Sequence, residues 1–188
     1  MGRVRNQEFG KGFAVGLFRV LARATIGLLF VGHGSQKLFG WFGGGGPEET
    51  GQFFEQIGIR PGRWHALSAG AAEAGGGLLF ALGAATPLAA AALSTVMITA
   101  IKTVHWEKGV WSTGGGYEYN LVLLVTVVGL TENGPGTWSV DGAAGRQRWG
   151  TGWALAALAA GALRLGRSAR LGRGRYDKRA GPDLVEAA

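Results

Sequence analysis

From Ala66 to Ile101 the chain runs through 36 residues with a single charge, Glu73. A helix rises about 1.5 Å per residue, so this stretch would make a rod of about 54 Å against a hydrocarbon core about 30 Å thick. It is too long for one crossing and must fold back on itself. Thr86-Pro87 marks the reversal, because proline disfavours helix at the residue before it and is accommodated in the first turn of a helix that follows. The segment therefore reads as two antiparallel helices, about 66–84 and 87–105, joined by a tight turn. Charged residues are only 16% of the 188, against roughly a quarter in soluble domains, which argues against an ordinary soluble enzyme.

Two further apolar segments flank this hairpin. Phe13–Phe39 reads as a first spanning helix, with Arg19 and Arg23 in its cytoplasmic half, placed to snorkel to the headgroups. These arginines also interrupt the apolar run too early for a secretory signal peptide. Tyr117–Thr131 is a fourth segment, and Gly43–Gly46 with Pro47, Gly114–Gly116 and Glu132–Gly136 mark loops. The expected organisation is a basic N-terminus (1–12), a four-helix membrane domain (13–131), a loop (132–148), an extra apolar helix (149–165) and a basic, disordered tail (166–188). The fold class is all-α, an integral membrane four-helix antiparallel bundle with a fifth interfacial or re-entrant helix.

Charge sets the expected orientation. Met1–Arg23 and Arg164–Ala188 each carry a net +4, and the residues between them carry −1. A basic excess confined to the ends follows the positive-inside rule, with both termini cytoplasmic and the protein multi-pass. Four spans leave Arg3, Arg5, Lys11, Arg146, Arg148 and the basic tail inside, and Lys37, Arg60, Arg63 and Lys108 outside. Five spans would carry the tail to the wrong side. The tail has no interleaved aromatics to stack on bases, so nucleic acid is not the expected partner; the lipid bilayer is. All seven tryptophans fall near segment ends, where interfacial aromatics belong.

Antiparallel topology gathers the polar residues of the apolar blocks at one end. The first helix ends there with His33, Gln36 and Lys37, and the second carries Glu73 about 10 Å inside its start. The third ends with Lys102, His105 and Glu107, and the fourth begins with Glu118 and Asn120. An ionisable group inside a spanning helix implies an interior partner or a cavity. Glu73 either handles protons or binds a ligand, or it pairs with Lys37, Lys102 or a histidine and fixes the bundle. Ala69, Gly77 and Ala81 share its face and allow close helix approach. His33 lies one turn from Lys37, and His65 stands at a helix start in a capping or interfacial role. His33 and His105 could supply imidazoles to haem or, with Glu73 or Glu118, to a metal, but three histidines without ligand spacing do not support either reading.

Other chemistry is excluded by what the chain lacks. It has no cysteine, hence no disulfide, thiolate zinc site, iron–sulfur ligand or thiol nucleophile of its own. Gly43–Gly46 is not followed by Gly-Lys-Ser/Thr, and Gly75–Gly77 lies within a helix without a preceding strand, so neither is a nucleotide loop. There is no nucleophile elbow and no zinc-protease signature. No self-contained catalytic motif is present.

Three local patterns then stand in order along the helices: Arg23-Ala-Thr-Ile-Gly27 leading to His33-Gly34-Ser-Gln-Lys37-Leu-Phe-Gly40; Glu73 before Gly76-Gly77 and Gly83; and Gly116-Tyr117-Glu118-Tyr119-Asn120. Together, over about 18–131, they resemble the DoxX family of small bacterial integral membrane proteins. The resemblance implies a four-helix bundle in the bacterial inner (plasma) membrane. It also implies a subunit of a membrane redox system, quinone-linked or concerned with oxidative stress, and not an autonomous enzyme. Without cysteine, electron chemistry would need a bound quinone or a soluble or membrane redox partner, and a site shared between copies of a homo-oligomer is compatible with so small a bundle. In that reading Glu73 and His33 handle protons, while Lys37, Gln36, His105, Glu118 and Asn120 line an outer-leaflet cavity. The alternatives are a non-enzymatic membrane anchor for a soluble partner and, last, a small-solute transporter, although the internal repeat many transporters carry is not seen.

Overall fold

The computed structural model describes residues 2–160. The expected basic tail and the end of the 149–165 segment lie outside the described residues. Within them all regular structure is helical: α1 (Gly2–Phe39), α2 (Gly46–Gln56), α3 (Gly62–Leu82), α4 (Thr86–Ala100), α5 (Glu118–Asn133), α6 (Val140–Ala143) and α7 (Thr151–Ala160). Helix α1 begins well before Phe13, so the segment expected as a separate N-terminus continues the helix.

The hairpin reversal falls at Gly83–Ala85, next to the Thr86-Pro87 signal. Gly83 closes α3 at φ 61, and the amides of Gly83 and Ala84 return to the carbonyls of Phe80 and Leu79 at 3.0 and 2.9 Å, the glycine-closed form of a helix end. Pro87 sits in the first turn of α4, where its missing N–H costs nothing. At its other end α4 widens into a π-helical turn, Ile101–His105, and a short 3-10 turn, Trp106–Lys108.

Gly12–Phe39 and Thr86–Lys108 are each long and apolar enough to cross a membrane. Helix α5, at 16 residues, rises only about 24 Å, and α3 interleaves Arg63, His65 and Glu73 with glycine and alanine. The interior is apolar, as in any bundle, but so is much of the outer surface. The interior contains Ala89, Ala90, Leu93 and Val127 with Phe30 and Phe80, whereas Phe18, Leu28, Leu88 and Val125 are each at least 60% exposed. Large apolar side chains facing outward on several helices need an apolar solvent.

Helices α1 and α3 make the closest approach. A Cβ on Gly27 would lie 2.7 Å from the Cβ of Ala81, and one on Gly34 would lie 2.6 Å from the Gly70 carbonyl oxygen. Gly70 and Gly77 on α3 answer Gly34 and Gly27 on α1 with the same seven-residue spacing, so small residues let two backbones meet. Gly27→Ala and Gly34→Ala are each expected to lower stability by roughly 1–3 kcal/mol through overpacking. Gly32→Ala, where a Cβ meets nothing within 4 Å, should be neutral. Thermal unfolding of the three variants in one detergent tests this; equal loss in all three would deny the seam.

One element departs from the sequence expectation. The glycine-proline signal at 43–47 reads as loop, but Pro47, Glu48 and Glu49 form the first turn of α2, with proline and acidic residues where a helix start accepts them. Helix α2 packs on the start of α3, and Glu55 Oε1 accepts from the Gly62 amide at 3.0 Å. In α7, Ala154 and Ala157 are buried and Ala157 joins the core shared by α1, α3, α4 and α5. The described part of the extra segment thus packs against the helices by its alanine face, with Trp153 and Leu155 outward.

Candidate functional site

Glu73 is buried midway along α3, and its Oε2 accepts from Lys37 Nζ of α1 at 2.6 Å. Of the partners the sequence allows, the structure selects Lys37. The lysine side chain is 23% exposed and the glutamate 4%, so the pair has one wet side and one dry side. The glycine seam brings the two helices within reach: Gly34, one turn before Lys37 Cβ, rests on Gly70 and Ala74 of α3.

His33 precedes Lys37 by one turn. Its Nδ1 lies 3.1 Å from Gln36 Oε1, and Gln36 Nε2 donates to the Phe42 carbonyl at 3.3 Å. The His33 ring meets the edge of Tyr119 at 6.4 Å between centroids, which ties α1 to the start of α5. Asn120 is buried beside Tyr119 and points its amide at Met97 Sδ of α4, 3.5 Å away. Ser94, three residues before Met97 on the same face of α4, has a buried hydroxyl without a partner among the described residues.

The remaining expected residues are engaged by the loop above. His105, at the end of the π-helical turn, places Nδ1 2.7 Å from the Gly115 carbonyl, and Glu118 accepts from the Ser112 amide at 3.0 Å. Lys102 and Glu107 are exposed, and His65 is exposed in the first turn of α3 with its amide on the Pro61 carbonyl. The structure therefore joins Glu73, Lys37, His33 and Gln36 closely, adds Asn120 through α5, and uses His105 and Glu118 to order the 106–117 segment.

A second polar cluster occupies the opposite end, and sequence reading missed it. Arg23 is 3% exposed and does not snorkel. Its guanidinium donates to the carbonyls of Ala81 at 3.3 Å, of Trp138 at 2.9 Å and of Pro135. The end of α3 and the 135–138 segment offer it carbonyl acceptors inside the protein, where the low dielectric strengthens a hydrogen bond to a cation. Asp141 of α6 accepts from the amides of Ala85 and Thr86 at 2.9 Å each, from the Thr86 hydroxyl at 2.7 Å and from the Trp149 indole at 3.0 Å. It caps α4 from a distant part of the chain and holds Ala85 at φ 44, a left-handed conformation costly for alanine. Burial alone would raise the Asp141 carboxyl, but the hydrogen bonds from Thr86, Trp149 and Ala85 outweigh it and hold the group below the ordinary aspartate range. Ser139 caps α6, its Oγ accepting from the Gly142 amide at 2.9 Å.

Comparison with the curated proteins and with the solved structures gives no match. A family model described as DoxX matches residues 18–106. That span holds Arg23, His33, Gln36, Lys37, Glu73 and His105, and stops before the helix of Glu118 and Asn120. The matching segment, 89 of the 188 residues, carries the inter-helix ion pair and the glycine seam, on helices whose large apolar side chains face outward, and over that segment the chain matches the DoxX family, whose members are membrane-integral.

Proposed function

We propose that this protein is a membrane subunit of a quinone-linked or oxidative-stress redox system, in which Glu73 and His33 handle protons at a polar site in the outer leaflet. The observation that carries the reading is the buried Lys37–Glu73 pair beside His33. An ion pair inside a membrane-embedded helix bundle is expensive to maintain, and such groups mark proton or ligand paths by default. Quinone reduction consumes protons, which a carboxylate and an imidazole at hydrogen-bonding range of a ligand can supply. Lys37, Gln36 and Asn120 would line the ligand, and His105 and Glu118 would shape the loop over it. The proposed setting is a four-helix antiparallel bundle of α1, α3, α4 and α5 in the bacterial inner membrane, with both termini cytoplasmic. Electrons would come from a soluble or membrane partner, since the chain has no cysteine. Glu73→Gln, nearly isosteric, is expected to lower reductant-dependent quinone turnover in native membranes by about tenfold or more. Turnover at the wild-type rate, with the variant present in the membrane at normal level, would overturn the role of this residue.

One observation favours a second reading, a non-enzymatic membrane anchor. The same ion pair sits on the glycine seam, where it would also fix the register of α1 on α3. In that case Glu73→Gln lowers assembly and leaves the turnover per assembled molecule unchanged.

A further inference from the structure

A cavity of about 370 Å³ opens between α1 and the chain segments that follow α5, lined by Gly12, Val15, Gly16, Arg19, Thr137 and Arg148 among others. Its volume is at the small end of ligand sites, roughly 300–1,000 Å³. Two crossing segments build its floor, joined by the Gly136 amide donating to the Gln147 carbonyl at 3.3 Å. The stem of Arg19 lies against Gly136, where a Cβ would come within 3.4 Å of Arg19 Cδ. Glycine there makes room for the arginine to lie along the wall. Arg148 stands on the other segment. The ion pairs found among the described residues involve neither arginine, and no hydrogen bond from either guanidinium to a described residue is formed, in contrast to Arg23 one turn further along α1.

The position of the cavity along α1 says what faces it. Counting back 20 residues from Phe39, the end of α1, gives Arg19, about 30 Å away, the thickness of the hydrocarbon core. Arg19 is therefore at headgroup depth when the other end of α1 is at the opposite interface. On the bilayer side of Arg19, α1 presents Leu21, Leu28 and Leu29 outward, each at least 43% exposed. Two guanidiniums at headgroup level, a polar floor and an apolar flank leading into the bilayer match one ligand chemistry: a phosphate diester with acyl chains attached.

We infer that the cavity between α1 and the 136–148 segment binds the phosphate of an anionic phospholipid, with Arg19 and Arg148 as its ligands and the acyl chains along the exposed flank of α1. The inference does not depend on the redox reading. It gives the two arginines a bound partner and lets the lipid brace the loop that Arg23 and Asp141 hold from within.

Native mass spectrometry of the full chain, released from detergent with phosphatidylglycerol or phosphatidylcholine added, tests the site. Wild-type protein is expected to retain phosphatidylglycerol preferentially, and the double variant Arg19→Gln/Arg148→Gln to retain roughly tenfold less or lower still. Gly12→Leu provides an independent check: a Cβ there meets nothing within 4 Å, so the leucine fills the cavity while both charges and the fold remain. It should lower retention of phosphatidylglycerol, whereas Arg63→Gln, at the other end of the molecule, should not. Equal retention by the wild type, the double variant and Gly12→Leu would overturn the site. Displacement of phosphatidylglycerol by millimolar inorganic phosphate, with no preference among lipids, would overturn the lipid assignment in favour of free phosphate.

Discussion

Asp141→Ala is expected to destabilise the protein by about 3–5 kcal/mol. The carboxylate accepts from four donors on three residues in two parts of the chain. Its removal deletes a helix cap, worth about 1–2 kcal/mol, and leaves buried donors unpaired at about 1–3 kcal/mol each. Ala85 would also lose what holds it in its left-handed conformation. Asp141→Asn keeps one acceptor oxygen and should cost less. The same carboxylate gives the stability a pH dependence of known sign. Its folded-state value lies below the ordinary 3.8, so its contribution is fully present above the unfolded value and is lost as pH falls through the folded one. Chemical unfolding in detergent at pH 7 and near pH 3 measures both effects. The wild type should lose more stability on acidification than Asp141→Asn, and parallel loss would show that the cap is not the acid-sensitive element.

Lys37→Met is the second large effect. It removes the cation that faces Glu73 at 2.6 Å and leaves a buried carboxylate without its counter-charge, a loss of about 3–5 kcal/mol. The cost should appear as reduced assembly of α1 on α3 and not as general unfolding, because the glycine seam still packs at Gly27 and Gly77. Replacing both partners by methionine should recover most of that stability, since an apolar pair of similar volume needs no desolvation. Thermal melts of the single and double variants decide this, and additive losses in the double variant would show that the pair is not coupled.

The parts of the structure that were legible in the sequence are those set by length and by charge cost. The stretch 66–101, with its single charge, had to reverse, and Gly83–Ala85 reverses it. Glu73 had to find a partner, and Lys37 lay within reach once α1 and α3 ran side by side. What was not legible depends on chain segments far apart in sequence. Arg23 was read as snorkelling because a lone helix offers it only headgroups; the carbonyls that take it come from residues about 60 and 110 positions away. Asp141 sits in a short loop helix with no periodicity, and its meaning appears only when Thr86 is beside it. Helix α2 was hidden because Gly43–Gly46 and Pro47 signal a turn, and the same proline, followed by Glu48 and Glu49, equally starts a helix. His105 and Glu118 fell at the expected end of the helices, but each found a nearer backbone partner in the loop than Glu73. Topology can place residues at one end of a bundle without bringing their side chains together.

The glycine seam and the ion pair lie on the same helix contact, so loss of function in a single variant does not separate proton handling from assembly. The double variant Lys37→Met/Glu73→Met does separate them, because it removes both charges while preserving the packing. The most direct measurement is reductant-dependent quinone turnover in membranes containing this variant, normalised to the amount of folded protein. The expected result is a protein assembled as the wild type with turnover reduced at least about tenfold. Wild-type turnover from the methionine pair would contradict a proton-handling role for Glu73 and leave the Lys37–Glu73 pair a device for holding α1 against α3.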